Sequence, residues 1–201
     1  MRGRVFFVRR SGGGSAYPHI AMQDLPLDAQ GRLWIFGYGS LMWRPAFAHV
    51  DARPAAVIGW TRRLWQWSTD HRGVVGAPGR VATVLPEPGE TCWGRAYAVA
   101  PQDRADVLAG LDVREQQGYD RVIVSLRFDE RPGPEALMYV ATADNPSFAG
   151  ETPLQTIADI VRTRRGPSGP NLEYLLRLAE ALREIGADDP HVFALEALCR
   201  A

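Results

Sequence analysis

Extended and helical patterning are segregated along this chain, and that segregation constrains its fold more than any other feature. Short apolar runs suited to strands recur at 33–36, 55–67, 81–85, 92–99, 121–128 and 137–142, whereas the last third carries apolar residues at helical spacing. The alternation is clean in 121–128, with Val122, Val124, Leu126 and Phe128 on one face and Arg121, Ile123, Ser125 and Arg127 on the other. Six candidate strands followed by helices, with no regular strand–helix alternation, predict an α+β fold rather than a doubly wound sheet. One helix is expected after Pro101, carrying Val107, Leu108 and Leu111 and ending just before Glu115. A second has Thr152 as N-cap, Pro153 as its first helical residue and Gln155 closing a capping box, with Leu154, Ile157, Ala158 and Val161 as its apolar stripe. A third runs from Asn171 as cap to Gly186, and a last one begins at Asp189-Pro190.

The 201 residues, 46% of them apolar, are enough for one sizeable core. Residues 1–30, with the patch Ser11-Gly12-Gly13-Gly14-Ser15 and no sustained period, read as a loosely ordered extension ahead of a domain spanning 31–201. The 23 basic and 23 acidic residues cancel, so no overall field draws the chain to nucleic acid or to a membrane, and a small-molecule ligand is expected instead. Every basic residue is Arg, which removes Schiff-base chemistry and the phosphate-binding lysine of P-loop enzymes. Cys92 and Cys199 lack C-x-x-C spacing, so neither a disulfide framework nor a structural zinc site is indicated, as suits a reducing cytoplasm. His19, His49, His71 and His191 lack metal-ligand spacing. The early apolar run Val5 to Val8 is shorter than a signal-peptide core, and no segment approaches the length of a membrane span.

Three segments hold chemistry-bearing residues. Leu33 to Phe36 runs into Gly37-Tyr38-Gly39-Ser40, which begins like a dinucleotide fingerprint but has Met42 where the third glycine belongs and Pro45 where the helix should continue. Ser40 lacks the flanking glycines of a nucleophile elbow. What remains is a strand-to-turn segment: a plain structural turn by default, an anion or oxyanion cradle of backbone N–H groups as the functional alternative. Ser68, Asp70 and His71 are the residue types of a catalytic triad, yet such near neighbours cannot normally adopt its geometry, and a turn is the default there. Asp112 to Tyr119 places two carboxylates, one of them Glu115, and an Arg on a connection between helix and strand, where functional residues gather.

Taken together these segments resemble the ChaC-like γ-glutamylcyclotransferases over residues 33–200. Ile35-Phe36-Gly37-Tyr38-Gly39-Ser40-Leu41-Met42-Trp43 is similar to the family's opening strand and substrate loop, and Trp65 to Gly73 to its second signature. Leu111 to Tyr119 resembles the catalytic segment, with Glu115 at the position of the essential glutamate. Asp144-Asn145-Pro146, and Gly166 to Gly169 followed by Asn171, Glu173 and Tyr174, match further blocks in the expected order. Trp67 departs from the pattern, standing where many members carry a smaller residue.

The resemblance implies a small mixed β-barrel with surrounding helices, glutathione as substrate, 5-oxoproline and cysteinylglycine as products, and neither metal nor organic cofactor. It assigns acid/base catalysis to Glu115 and substrate binding to Ile35, Phe36, Gly37, Tyr38, Gly39, Ser40 and Leu41, with Arg72, Tyr119 and Tyr139 as further pocket residues. A carboxylate that must also donate a proton at neutral pH needs a raised pKa, so Glu115 is expected to be semi-buried. Related γ-glutamyl amino acids or γ-glutamylamines are the alternative substrates, and a γ-glutamyl-binding module without activity is the non-enzymatic alternative.

Overall fold

The computed structural model describes residues 20–114, 118–129 and 131–201. Five strands form a closed barrel: β1 (Leu33–Gly37), β2 (Asp51–Ser68), β3 (Gly79–Val99), β4 (Asp120–Phe128) and β5 (Arg131–Val140), in the order β1-β3-β2-β4-β5. All neighbours are antiparallel except β1 and β5, which close the barrel in parallel through Ile35 and Leu137. Trp34, Phe36, Val57, Ala98, Val124 and Met138, drawn from all five strands, belong to one buried cluster that extends to the helices packed on the barrel. Leu33, Ile35 and Leu137 point the other way and form a second cluster with Val107, Leu108 and Leu111 of α1 (Arg104–Arg114).

Two expected strands, 81–85 and 92–99, are one. Pro86 to Gly89 reads locally as a break, yet β3 runs on through it: Pro86 pairs with Trp60 and Thr91 with Ile58 of β2, and residues 87–90 form an exposed bulge between them. Gly59, at φ +83°, lies in the matching register shift of β2.

Helices α2 (Leu154–Thr163), α3 (Asn171–Glu184) and α4 (Pro190–Arg200) pack on one another and against β2 and β3. Between α2 and α3 a two-residue hairpin pairs β6 (Arg165–Gly166) with β7 (Gly169–Pro170). Of the expected stripe, Ile157, Ala158 and Val161 are completely buried, and Leu154 packs partly buried against the same core. The expected capping box is not formed: Pro153 occupies the cap, while the Thr152 hydroxyl donates to Gly150 O at 3.1 Å and accepts from Arg80 Nη2 at 3.3 Å. Asn171 is likewise not a cap. It begins α3 with its amide turned to β3, accepting from Arg80 N at 2.6 Å and donating to Arg80 O at 2.7 Å. α3 ends as expected, with Gly186 at φ +67° and paired bonds from Gly186 N to Arg183 O and Ala187 N to Leu182 O, a Schellman motif. Asp189 caps α4 through Val192 N at 3.0 Å.

Of the expected extension, residues 1–19 lie outside the described residues. Residues 20–30 pack on the domain, with Ile20 and Leu25 buried in the cluster beneath α1. Among the described residues no helix is long and apolar enough to cross a membrane.

Candidate active site

β1 leaves the barrel at Gly37 and turns at once into a short 3-10 turn, Ser40–Met42. The reversal depends on Gly37, since a Cβ there would stand 2.6 Å from Leu41 Cβ. The turn is held from behind. Arg62, completely buried, donates from Nε to Tyr38 O at 2.8 Å, from Nη1 to Asp189 Oδ2 at 2.6 Å and from Nη2 to Trp93 O. The Tyr97 hydroxyl donates to Leu41 O at 2.7 Å, and burial raises that phenol to about 12. With these carbonyls tied inward, the N–H groups of Gly39, Ser40 and Leu41 have no partner among the described residues. All three residues line a cavity of about 670 Å³, within the range of small-molecule sites.

The last residue of α1 reaches the same turn. Arg114 donates from Nη2 to Ser40 Oγ at 2.8 Å and from Nη1 to Arg44 O at 3.1 Å and Pro45 O at 3.4 Å. Because Ser40 Oγ accepts this bond, its own proton is left to donate into the cavity. Tyr139 forms another wall. Its hydroxyl donates to Asp112 Oδ1 at 2.9 Å, Asp112 is held by Arg121, and burial pushes the phenol well above its ordinary value. The Tyr38 hydroxyl donates to Tyr139 O at 2.8 Å.

A profile of the ChaC-like protein family matches residues 33–201. The chain belongs to the ChaC-like family. It is 46% identical to the human glutathione-specific γ-glutamylcyclotransferase 1, over 81% of this chain and 76% of that protein. It is 39% identical to the glutathione-specific γ-glutamylcyclotransferase of Schizosaccharomyces pombe, over 87% of this chain and 95% of that one. Its fold is similar to a crystal structure of the yeast γ-glutamyl cyclotransferase specific to glutathione, with a TM-score of 0.78 at 29% identity, covering 84% of this chain and 96% of that one.

In this ChaC-like chain Phe36, Tyr38, Gly39, Ser40, Leu41, Arg72, Tyr119 and Tyr139 line the cavity. Ile35 and Gly37 do not. Strand alternation turns Ile35 into the cluster beneath α1, and Gly37 serves by close approach rather than by presenting a surface. Glu115, expected to be semi-buried, lies outside the described residues, as do Gln116 and Gln117.

Ser68, Asp70 and His71 do reach the cavity, but as a turn. Ser68 Oγ accepts from the N–H groups of His71 (3.4 Å) and Arg72 (3.0 Å), and the His71 ring meets Ser168 Oγ at 3.1 Å rather than Ser68. Trp67 is a wall residue backed by the Arg80 guanidinium, 3.6 Å from its ring centroid; burial lowers the pKa of that Arg to about 10. Trp43, Arg114, Glu173, Tyr174 and Arg177 also line the cavity without having been singled out for it. Glu173 and Tyr174 were visible as motif residues, whereas Arg177 carries no local signal. Among the described residues no group of three or more His, Cys, Asp or Glu side chains is arranged to hold a metal ion.

Proposed function

We propose that this chain is a glutathione-specific γ-glutamylcyclotransferase, a lyase that converts glutathione to 5-oxoproline and cysteinylglycine, with Glu115 as its acid/base residue. The observation that carries this reading is the meeting, in one cavity, of the N–H groups of Gly39 to Leu41, unpartnered among the described residues, with the end of α1, the residue before Glu115. The human and fission-yeast relatives, both named as glutathione-specific, support it.

The reaction needs no enzyme nucleophile. The α-amine of the γ-glutamyl group attacks its own γ-carbonyl, a new C–N bond closes the five-membered lactam, and the bond to the cysteinyl nitrogen breaks. The amine enters as an ammonium, so one proton must be removed before attack and one delivered to the departing nitrogen; a single carboxylate serves both steps. The turn N–H groups and the Ser40 hydroxyl supply donors to the α-carboxylate or to the oxyanion. A cytoplasmic setting suits this activity, because glutathione acts there in its reduced form, and Cys92 and Cys199 are both free thiols.

The test is incubation with reduced glutathione, with 5-oxoproline and cysteinylglycine followed by mass spectrometry beside Glu115→Gln. Both products are expected from the wild type, and a loss of at least about a hundredfold in the variant. Comparable turnover by the two proteins removes Glu115 from the chemistry.

A further inference from the structure

Glutathione carries two carboxylates, and the N–H groups and hydroxyl of the turn can receive at most one of them. The described residues lining the cavity include four arginines, Arg44, Arg72, Arg114 and Arg177, against two carboxylates, Asp70 and Glu173. These arginines do not all sit at the turn. Arg72 is only 7% exposed, and it stands where the 68–73 turn meets the β6–β7 hairpin. Its Nη1 donates to Pro170 O at 3.0 Å and to Glu173 Oε2 at 3.4 Å, whereas Nε and Nη2 have no hydrogen-bond partner among the described residues. The free edge of this nearly buried guanidinium therefore opens on the cavity it lines.

Packing there leaves no slack. A Cβ at Gly169 would stand 2.8 Å from Glu173 Oε2 and 3.2 Å from Arg72 Nη1, and one at Gly166 would stand 2.3 Å from His71 O. Glu173 and Arg177 are four residues apart on α3 and so share a face. The side-chain partner of Arg177 is Glu180, a mutually exposed pair at 3.4 Å, and Glu180 does not line the cavity. Asp70 faces His71 Nε2 at 3.4 Å. Arg72 and Arg177 thus both line this part of the cavity, Arg72 against Glu173 and Arg177 against the exposed Glu180, which a bound anion can displace.

We propose that Arg72 and Arg177 receive the glycyl carboxylate at the far end of the tripeptide, so that this wall of the cavity reads the third residue of the substrate. The proposal rests on the γ-glutamylcyclotransferase reading above and names the recognition of its leaving group. Arg72 is the preset anchor. Arg177, on the exposed face of α3, completes the fork when the ligand arrives.

Glutathione and its glycyl amide differ at that carboxylate alone. Both are titrated calorimetrically into the Glu115→Gln protein, and kcat/KM for both is measured on the wild type. Charge-assisted hydrogen bonds of this kind predict that the amide binds about tenfold to a hundredfold more weakly. Arg177→Gln, a surface substitution that leaves the core intact, should lower that ratio by about threefold to tenfold, the remainder being held by Arg72. Equal affinity for the two ligands, or a ratio unchanged in Arg177→Gln, overturns the proposal. If the titration discriminates while the wild type forms no 5-oxoproline, the subsite stands and the assigned activity fails.

Discussion

Asp189 performs two tasks with two oxygens, and separating them tests how the turn is held. Its Oδ1 accepts from Val192 N and caps α4, and its Oδ2 is the counter-ion of Arg62. The Arg62 side chain has no exposure and that of Asp189 has 12%, so the pair lies almost entirely out of water. Asp189→Asn keeps a good N-cap, because Asn and Asp are about equal there, but removes the charge. The guanidinium is then buried without a counter-ion, and breaking one side of such a pair costs about 3–5 kcal/mol. At about 2–4 °C per kcal/mol for a chain of this size, Tm should fall by about 6–20 °C. Asp189→Ala adds the loss of the cap, about 1 kcal/mol more. Arg62→Met combined with Asp189→Asn should recover most of the loss, since no buried charge remains. Thermal unfolding followed by circular dichroism reads all three proteins. A Tm for Asp189→Asn within about 2 °C of wild type refutes the account, because the turn would then not depend on a buried charge pair.

Other perturbations bear on the site and on acid stability. Gly37→Ala puts a methyl group 2.6 Å from Leu41 Cβ and should lower kcat/KM for glutathione by forcing the turn out of place, with a stability cost of about 1–3 kcal/mol seen in urea titration; unchanged kinetics would argue against a preset turn. His191 is lowered to about 4, first by burial and then by the nearby positive charge of Arg63, and its Nε2 accepts from Leu64 N at 3.0 Å. Because its folded pKa lies below the ordinary 6.5, the native state binds fewer protons than the unfolded one. The stabilisation is complete above pH 6.5 and is lost as pH falls toward 4, by about 3 kcal/mol. Equilibrium unfolding across that window should show a slope that His191→Gln flattens.

Much of the architecture was legible from local pattern. The alternation in 121–128, the stripe of Ile157, Ala158 and Val161, and the glycine that ends α3 each express a rule acting within a few residues. The failures share a different cause. Pro86 to Gly89 looked like a break because Trp60 and Ile58, whose pairing on either side of the bulge keeps β3 one strand, lie more than twenty residues away. Thr152 and Asn171 looked like caps because the backbone and side chain of Arg80, which claim them, are distant in sequence. Barrel closure through Ile35 and Leu137 joins segments a hundred residues apart, so the barrel itself was expected from family resemblance and not from pattern. At the site, the turn and Arg72 were legible as motif residues. Arg114 and Arg177 acquire their places only through the packing of α1 and α3.

The amide of Asn171 has a further consequence. Its donor and acceptor sit against Arg80 N and O, so a side chain takes the place of a neighbouring strand at the point where β3 begins. Helices usually dock through interdigitating apolar ridges, which tolerate small slides. This one is indexed by a pair of directional bonds, and moving it would strand two peptide groups away from water. Glu173, Tyr174 and Arg177 therefore inherit the positional tolerance of a β-ladder, a few tenths of an ångström, although they stand on a helix. A wall proposed to tell one dipeptide leaving group from another would gain its accuracy from the barrel, and substitutions on the outer face of α3 other than at Glu173 and Arg177 can accumulate without blurring it.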